Sequence, residues 1–399
     1  MESYVKGKIP QIIFGSKSAQ KVSGLLKKHE IKKCLLVTGH HVVRHSITQN
    51  VIKALSVEGI HCDVFDRVTP EPTDTLCLEI AYEIIANEYD CVLGIGGGSP
   101  MDAAKAATLI AGIPENISDL HEYGKTGCRM KEVWKRPCML VLMPTTSGTG
   151  AETTAGAVIT STMHGMKFGF GNSNISADIA VIDPEFTVSM PAAATVCGGI
   201  DALAHTIEIL VGTANNEYTN QILFLCLNKI WTWLPVAVKE PENLEAREQM
   251  SWAAHNALAN GGVPNGHAFA HAIGSLYHIT HGNACAMVLP TVVRHFALYA
   301  QNNIQKMAEI MGINVTGDAV KDADAVANAI HVFCQELGLD TLQKIFAEKG
   351  YCDNCQEFTE KMIPLVMDDF KSREWMPPIH TGNYKEKIGK ICEAIYAEK

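Results

Sequence analysis

Short apolar runs rich in β-branched residues alternate with longer amphipathic segments over roughly the first 190 residues of the chain. Five of these runs are typical of strands, at 34–38, 61–65, 91–95, 139–143 and 177–182. The segments 18–29, 47–58 and 75–87 have the periodicity of helices. A helix that connects two parallel strands packs against their sheet, so this alternation predicts a mostly parallel sheet covered on both faces.

The pattern changes near residue 190, where Pro184 and Pro191 interrupt it and strand-like runs stop. Helical periodicity then recurs at 192–211, 217–233, 245–259, 267–278, 287–300 and 319–337. A chain of 399 residues is long enough for two domains. The sequence therefore predicts an α/β domain at 1–188 and an all-helical domain at 189–399.

Composition excludes several classes of protein and partner. The chain is 47% hydrophobic and 19% charged, which is ordinary for a globular protein and unlike a disordered or collagen-like one. A net charge of −10 disfavours a nucleic-acid or anionic-membrane partner. The most apolar late stretch, 284–293, is too short to span a bilayer, and the N-terminal residues lack the pattern of a signal peptide. Thirteen scattered cysteines fit reduced thiols, so we expect a cytoplasmic protein.

A glycine-rich turn follows the predicted strand at 91–95 and runs from Gly96 to Asp102. Glycines let backbone N–H groups approach a phosphate, and a following helix N-terminus favours its charge. Ser99 suits the N-cap, Pro100 the first helical position, and Asp102 the reciprocal carboxylate of a capping box. The turn departs from the standard dinucleotide fingerprint, and a structural turn without a ligand is an equally common alternative.

A second polar loop, at 144–150, follows the strand predicted at 139–143 and contains four hydroxyl side chains and two glycines. It lies where open α/β sheets bind ligands, beyond the carboxyl end of a strand. A helix cap is the simpler explanation of such a loop, but one or two hydroxyls are enough for a cap. Two such loops on one sheet favour a nucleotide ligand.

Histidine is concentrated in the second half, where nine of the 16 histidines lie from His205 onward. Asp201 and His205 are four residues apart on a predicted helix, so both project from one face. His267, His271, His278 and His281 fall within fifteen residues. One carboxylate and three of these imidazoles would suit Fe²⁺ or Zn²⁺, although spacing alone does not choose among the four later histidines. Any one of them alone is more often a hydrogen-bonded structural residue.

Four motifs, in this order along the chain, resemble the iron-dependent (group III) alcohol dehydrogenase family: GGGSPMDAAK at 96–105, PTTSGTGAE at 144–152, GGIDALAHTIE at 198–208 and HAFAHAIGSLYHITHG at 267–282. The resemblance covers the chain from about residue 8 to its end. It implies a Rossmann-like N-terminal domain, an all-α C-terminal domain of the dehydroquinate synthase-like architecture, and a cleft that holds NAD or NADP and a divalent metal.

The resemblance also implies roles for individual residues, carried over by motif position. The metal ligands would be Asp201, His205, His267 and His281, with Fe²⁺ bound and Zn²⁺ as an alternative. His271 would be the catalytic histidine near the nicotinamide. The cofactor-binding residues would be Gly39, Gly97, Gly98, Ser99, Asp102, Thr145, Thr146, Thr149 and Lys167. No cysteine falls at a ligand position of the family pattern.

This sequence departs from the family pattern after the first predicted strand, where Gly39 replaces the aspartate of many members. A carboxylate there would accept a hydrogen bond from the ribose 2′-hydroxyl and would repel a 2′-phosphate. With His40, His41 and Arg44 nearby, its absence permits NADPH without requiring it.

The stretch 263–266 before the third implied ligand is more polar than in the family, and the tail at 374–383 also differs. His255, Asn260, Asn265 and His278 could therefore form a polar substrate pocket. The alternative is that His255 and His278 only support the ligands or lie on helix faces. The full set of candidate substrate residues is Gly156, His255, Leu258, Asn265 and His278.

The implied function is metal-dependent, NAD(P)-linked hydride transfer between the nicotinamide and a small alcohol or aldehyde. The polar pocket suggests a substrate with a second polar or anionic group, such as a sulfonate, carboxylate or hydroxyl. A hydroxyacid–oxoacid transhydrogenase and a polyol dehydrogenase of the same superfamily are alternatives. A non-catalytic metal- or nucleotide-binding protein is disfavoured by the complete ligand set. The family also implies a homodimer or larger homo-oligomer.

Overall fold

A computed structural model of the chain describes residues 9–114, 117, 119–123, 134–212, 216–259, 265–373 and 383–398, with the backbone alone at 370–373. These residues form two compact units. We call Gly7–Met190 together with Glu242–Ser251 the α/β unit. The helical unit consists of Pro191–Pro241 and Trp252–Lys399.

The α/β unit is organised by a six-stranded sheet in which every neighbouring pair is parallel. The strands of the unit are β1 (Gln11–Phe14), β2 (Lys33–Thr38), β3 (His61–Phe65), β4 (Cys91–Gly96), β5 (Met139–Pro144), β6 (Ala157–Ser161), β7 (Met166–Phe170) and β8 (Ile179–Ile182). The sheet order is β1-β8-β5-β4-β2-β3, and β6 and β7 form a separate antiparallel hairpin. The central strands β4 and β5 are almost entirely buried, as their continuous apolar sequences require.

Helices cover the two faces of this sheet and bury a core on each side. They are α1 (Val22–Lys28), α2 (His40–Val43), α3 (Ser46–Val57), α4 (Asp74–Asn87), α5 (Gly98–Ile110) and α6 (Leu120–Tyr123). The five strands predicted from sequence are all present, within two residues at either end. The edge strand β1 and the β6–β7 hairpin were not predicted.

The helical unit is built from helices throughout its described residues. Its helices are α7 (Ala192–Val211), α8 (Glu217–Lys239), α9 (Leu244–Ala259, whose first residues belong to the α/β unit), α10 (His267–Tyr277), α11 (His281–His295), α12 (Gln301–Ile310), α13 (Ala319–Glu336), α14 (Leu342–Lys349), α15 (Cys355–Arg373) and α16 (Tyr384–Ala397). The fold class predicted from the sequence, a parallel α/β first part and a helical second part, is thereby confirmed.

Two of the described helices, α7 and α8, have the length and apolar composition of a membrane span, a property that core helices share. The most apolar window of α7 is 83% buried inside the structure.

Another helix differs from its sequence prediction in a way that matters for the site. We predicted a helix over 287–300, whereas α11 begins at His281 and continues through Pro290. His281 therefore occupies the first turn of a helix rather than a loop.

Candidate metal centre and cofactor loops

Three loops meet at the carboxyl edge of the sheet, because they follow the adjacent strands β2, β4 and β5. They bring together the glycine turn and the threonine-rich loop that the sequence singled out. A Cβ built on Gly98 would lie 2.9 Å from the Thr149 side chain, and one on Gly97 would lie 3.5 Å from Thr146. Only glycine at 98 permits this approach. The Thr145 amide also donates to the Gly96 carbonyl oxygen at 2.8 Å. The two loops thus form one surface of backbone amides and hydroxyls at the N-terminus of α5, suited to a phosphate.

The predicted capping box at this helix is wrong. Helix α5 begins at Gly98 with Gly97 as its N-cap, and no side chain caps it. Asp102 faces elsewhere: its Oδ2 accepts from the Val158 amide at 3.0 Å, and its Oδ1 lies 2.9 Å from Lys105 Nζ. The glycine turn leaves the first N–H groups of the helix without a side-chain acceptor, which suits an external anion.

Lys105 was not singled out by the sequence analysis, although it lies three residues after Asp102. Its side chain is fully buried, and its ammonium group donates to the Ala151 carbonyl oxygen at 2.8 Å, to Thr154 Oγ1 at 3.1 Å and to the Gly156 carbonyl oxygen. A buried lysine needs such partners because burial penalises an isolated charge. Lys105 thereby fixes the backbone that follows the threonine-rich loop.

Lys167 lies on β7 and pairs with Glu71, with 2.7 Å between Nζ and Oε1. The backbone amide of the same Glu71 donates to Ser99 Oγ at 3.3 Å. The implied cofactor lysine and the glycine-turn serine are therefore both linked to one residue. Gly39 caps α2 after β2, and a Cβ there would lie 3.1 Å from the Val68 carbonyl oxygen.

Three histidine side chains of the helical unit converge on one carboxylate oxygen, Asp201 Oδ1. The Nε2 atoms lie 3.5 Å away for His205, 3.2 Å for His267 and 3.3 Å for His281. Asp201 and His205 share one face of α7, as their spacing predicted, while His267 and His281 begin helices α10 and α11.

This donor set fits a divalent metal ion. Oxygen and nitrogen ligands at about 2.1 Å from a common tetrahedral ion lie about 3.4 Å from each other, close to these separations. One carboxylate and three imidazoles are ligands that Fe²⁺ and Zn²⁺ accept. The structure thus brings together all four ligands that the family resemblance implied.

The electrostatics of the cluster reflect burial opposed by close pairing. Burial raises the pKa of Asp201, but the imidazoles of His205 and His281 outweigh it and hold that pKa well below its usual range. Burial lowers the pKa of His281, but Cys285 and Asp201 outweigh it and raise that pKa to about 10. A cation held among these groups would replace the protons that otherwise balance their charge.

Glu208 is a further member of the site that the sequence analysis missed. It is fully buried, and its Oε2 accepts from the amides of Gly266 at 2.6 Å and His267 at 3.0 Å. The same oxygen lies 3.0 Å from His267 Nδ1, which leaves Nε2 facing Asp201. A carboxylate behind a histidine ligand fixes the tautomer and the ring orientation. The spacing of Asp201, His205 and Glu208 along one helix face was the signal that could have identified it.

Cys285 lies beside the implied ligands, although no cysteine falls at a ligand position of the family pattern. Its Sγ lies 3.7 Å from His281 Nε2 and 4.0 Å from His267 Nε2. Ligand atoms of Asp201, His267, His281 and Cys285 all lie within 4.8 Å of one another. Burial raises the pKa of the Cys285 thiol, but the imidazoles of His281 and His267 outweigh burial and lower that pKa below its ordinary value.

His271 lies one turn after His267 on α10 and faces the same cluster. Its ring centroid is 5.3 Å from that of His281 and 6.0 Å from that of His267. Its Nδ1 lies 2.8 Å from Asp369 Oδ2 on α15, so a carboxylate orients this ring as well. Asp369 is a second residue that the sequence analysis missed, because α15 follows almost one hundred residues later.

The candidate substrate residues are placed as follows. His255 is buried on α9, with Nε2 2.9 Å from Asn256 Nδ2. Asn265 is buried, and a Cβ on Gly212 would lie 3.5 Å from its Nδ2. His278 is exposed and ends α10 in the left-handed conformation. Leu258 is half-buried on α9, and Gly156 binds Lys105 through its carbonyl oxygen. Asn260, residues 263–264 and the tail at 374–382 lie outside the described residues.

A surface suited to a phosphate on the parallel sheet and a buried carboxylate–imidazole cluster suited to a divalent metal on the helical unit are typical of a metal-dependent, nucleotide-linked enzyme. The comparisons with known proteins give the family. The family model described as iron-containing alcohol dehydrogenase matches residues 10–184. The model for the C-terminal part of the Fe-containing alcohol dehydrogenase family matches residues 195–368. The chain belongs to the iron-containing alcohol dehydrogenase family, as its motifs predicted.

Relatives with assigned activities agree with this family assignment. The chain is 31% identical over 311 residues to the NAD-dependent methanol dehydrogenase of Bacillus methanolicus, covering 77% of this chain and 80% of that one. It is 29% identical over 395 residues to the NADPH-dependent butanol dehydrogenase of Clostridium saccharobutylicum, covering 96% of each. The chain is therefore an NAD(P)-dependent alcohol dehydrogenase, with iron as the metal of its family.

Solved structures show the same fold over the whole length. A 1,3-propanediol oxidoreductase superposes with a TM-score of 0.87 at 26% identity, covering 99% of this chain and 100% of that one. The sulfoacetaldehyde reductase of Bifidobacterium kashiwanohense, solved with NAD⁺, superposes with a TM-score of 0.81 at 25% identity and covers 100% of both chains.

Proposed function

We propose that this alcohol dehydrogenase reduces a small aldehyde that carries a second polar or anionic group, such as a sulfonate, a carboxylate or a hydroxyl. The observation that carries the proposal is the buried imidazole of His255 on α9, paired with Asn256 in the helical unit. A polar side chain in a substrate pocket favours a substrate whose own polar group can pair with it over an aliphatic one. Likeness to a sulfoacetaldehyde reductase and to a 1,3-propanediol oxidoreductase supports the same class.

The proposal assigns roles to the chain's own residues. Asp201, His205, His267 and His281 hold the metal, with Glu208 orienting His267. When bound, the ion supplies Lewis-acid polarisation of the substrate oxygen and the nicotinamide supplies or accepts the hydride. His271, oriented by Asp369, accepts the proton that the alcohol loses and returns it when the aldehyde is reduced.

The remaining assignments concern the cofactor and the substrate. The cofactor phosphates lie on the glycine and threonine loops, bound by Gly97, Gly98, Ser99, Thr145, Thr146 and Thr149. Gly39 lies beside the adenosine ribose, Asp102 lies toward the nicotinamide, and Lys167 reaches the nicotinamide ribose. Gly156, His255, Leu258, Asn265 and His278 contact the substrate.

A panel of matched short aldehydes tests the substrate class. Propanal, 3-hydroxypropanal, succinic semialdehyde and sulfoacetaldehyde are each supplied with NADH and with NADPH, and loss of the reduced nicotinamide absorbance is followed. We expect kcat/KM to be about 10-fold higher for one polar-ended aldehyde than for propanal, since a matched hydrogen bond contributes up to about 1.5 kcal/mol. Propanal as the best substrate would contradict the proposal. Hydride exchange without turnover of free cofactor would indicate a transhydrogenase instead.

The variant His255→Leu removes the imidazole and keeps an apolar side chain of similar size. We expect it to lower kcat/KM for the preferred polar aldehyde while changing kcat/KM for propanal little. His331→Leu on α13 is the matched control, because it removes a histidine from another helix of the same unit. Equal losses on both substrates would show that His255 supports the fold rather than the specificity.

We also propose that the chain acts in the cytoplasm as a homodimer or larger homo-oligomer. Twelve cysteines of the described residues are free thiols in the structure, as is usual in a reducing compartment. Light scattering coupled to size exclusion measures the assembly directly, and a monomer over the micromolar range would contradict this part of the proposal.

A further inference from the structure

Three side chains of the α/β unit form a group of metal-binding type that the catalytic site does not use. They are Asp119, His121 and His164, which we call the hairpin cluster. Asp119 and His121 lie at the start of α6, and His164 lies in the turn between β6 and β7. One ligand atom of each residue lies within 4.8 Å of those of the other two. The fold therefore brings together donors from two segments that are 45 residues apart.

The carboxylate of Asp119 is held in one direction. Its Oδ1 accepts from the backbone amides of His121 at 3.0 Å and Glu122 at 3.2 Å. Its Oδ2 lies 2.8 Å from His164 Nε2. Because two amides hold one oxygen, the other oxygen is aimed at the imidazole. A carboxylate that is hydrogen-bonded in this way is typical of a metal ligand, whose orientation is fixed by the groups behind it.

His121 adds a second imidazole from a buried position. Its side chain is only 3% exposed, its ring centroid lies 4.5 Å from that of His164, and Phe168 packs edge-on against it at 5.1 Å. Two imidazoles this close repel each other when both are protonated, whereas two neutral imidazoles can bind one cation together. Two ligands of the Asp201 site, His205 and His267, have a similar separation of 4.4 Å between ring centroids.

A plain carboxylate–imidazole pair elsewhere in the unit shows what distinguishes the hairpin cluster. His61 Nε2 lies 3.1 Å from Asp63 Oδ1 on β3. Among the residues that the structure describes, this pair belongs to no group of three metal-binding side chains. The distinguishing feature of the hairpin cluster is its third donor, the buried imidazole of His121.

We propose that Asp119, His121 and His164 bind a second divalent transition-metal ion of the Zn²⁺ type. Two imidazole nitrogens and one carboxylate oxygen are ligands that Zn²⁺ accepts, at about 2.0–2.2 Å. Donors around such an ion lie about 3.0–3.5 Å apart, so Asp119 and His164 separate by a few tenths of an ångström when it binds. Their side chains are 20% and 33% exposed, so water completes the coordination. The ion joins the hairpin turn to the start of α6.

The inference concerns metal binding in the α/β unit and does not depend on the proposed substrate. Its test uses the full-length protein, stripped of metal and titrated with Zn²⁺ in competition with a chromophoric chelator. We expect two zinc ions per chain. His164→Gln and Asp119→Asn should each bind one, because losing a ligand should raise the Kd of the hairpin cluster at least about 100-fold. Asp119→Asn keeps an oxygen for the two amides, so the start of α6 should be preserved.

Two further variants assign the ions. His61→Gln is the matched control, since it removes a histidine from the plain pair, and it should still bind two zinc ions. His267→Ala should lose the ion of the Asp201 site and keep the one at the hairpin cluster. One zinc ion per wild-type chain, or two retained by His164→Gln or Asp119→Asn, would overturn the proposal. Loss of an ion in His61→Gln would also overturn it, because binding would then not be specific to the hairpin cluster.

Discussion

At the scale of single residues, the carboxylate of Glu208 determines how His267 faces the metal site. One oxygen accepts from two backbone amides and lies 3.0 Å from His267 Nδ1. Glu208→Gln keeps an acceptor but removes the charge that opposes a protonated or metal-bound imidazole. We expect the Kd for Zn²⁺ to rise about 10- to 100-fold, measured by chelator competition. Glu217→Gln at the exposed start of α8 should leave the Kd unchanged. Equal affinities of wild type and Glu208→Gln would show that this carboxylate serves only the backbone.

His271 and Asp369 give a second residue-scale prediction, on turnover rather than on metal. The two side chains are 2.8 Å apart, and His271 is not one of the four residues assigned to the metal. His271→Ala should therefore slow kcat and change its pH profile while metal content stays the same. Asp369→Asn should give a smaller loss of the same kind, because the ring remains but its tautomer is no longer fixed. Unchanged kinetics in His271→Ala would remove this histidine from the mechanism.

The residues that sequence reasoning missed at the site share a physical cause. Cys285 relates to His281 only if a helix begins at His281, whereas the apolar periodicity indicated a helix starting six residues later. Asp369 reaches His271 through the packing of α15, which no local pattern in the sequence specifies. Asp201 and His205 could be paired from sequence because their contact lies within one helix. Contacts between elements distant in sequence had to come from the family resemblance or from the structure.

At the scale of elements, the same distinction explains what the sequence could predict of the fold. The central strands are long apolar runs between amphipathic segments, so they were recognisable. Strand β1 has only four residues at the sheet edge, and its pairing partner β8 is far along the chain. The two short strands of the β6–β7 hairpin lie between polar loops and pair with each other, with one further bridge from Thr160 to Thr73. Neither carries enough apolar sequence to be distinguished from loop.

The approach of α11 to α7 is an element-scale feature that a single methyl group should disrupt. A Cβ on Gly282 would lie 2.5 Å from both Cα and the carbonyl oxygen of Cys197, backbone atoms that cannot rotate away. Gly282→Ala should therefore force the two helices apart and move His281 from Asp201. We expect a destabilisation of at least about 1–3 kcal/mol, seen as a lower midpoint of unfolding, together with reduced metal content.

Gly389→Ala on α16 is the matched control for this helix pair. A Cβ there would meet only ordinary contacts, at 3.7 Å from Ile363 and 3.8 Å from Thr359. Replacing a helical glycine by alanine should then stabilise the chain by about 0.5–1 kcal/mol and leave metal content unchanged. Normal metal content and stability in Gly282→Ala would mean that the helices tolerate a wider spacing than the structure shows.

At the scale of the whole molecule, the stability of the folded chain should depend on pH through one buried carboxylic acid, Glu152. Glu152 follows the threonine-rich loop and is almost fully buried. Burial raises its pKa from 4.5 to about 7, against the opposing effect of Lys105. Since the folded state binds this proton more tightly than the unfolded state, stability is lost as pH rises from 4.5 to about 7. Above that range the ionised carboxylate costs on the order of 3 kcal/mol.

Glu152→Gln removes the ionisation and keeps the shape of the side chain. Without cofactor, its unfolding midpoint should match that of the wild type near pH 4.5, rise above it through the range to pH 7, and stay higher at alkaline pH. Glu83→Gln, an exposed carboxylate on α4 in the same unit, should show no such pH-dependent difference. A constant offset between Glu152→Gln and wild type at every pH would reject the buried acid as its cause, because only a group that titrates differently in the two states changes the slope. Because the chain retains this carboxylate beside the threonine-rich loop at a cost in stability, we expect Glu152→Gln to change the Kd for NAD⁺. The Kd is measured on Glu152→Gln and on Glu83→Gln.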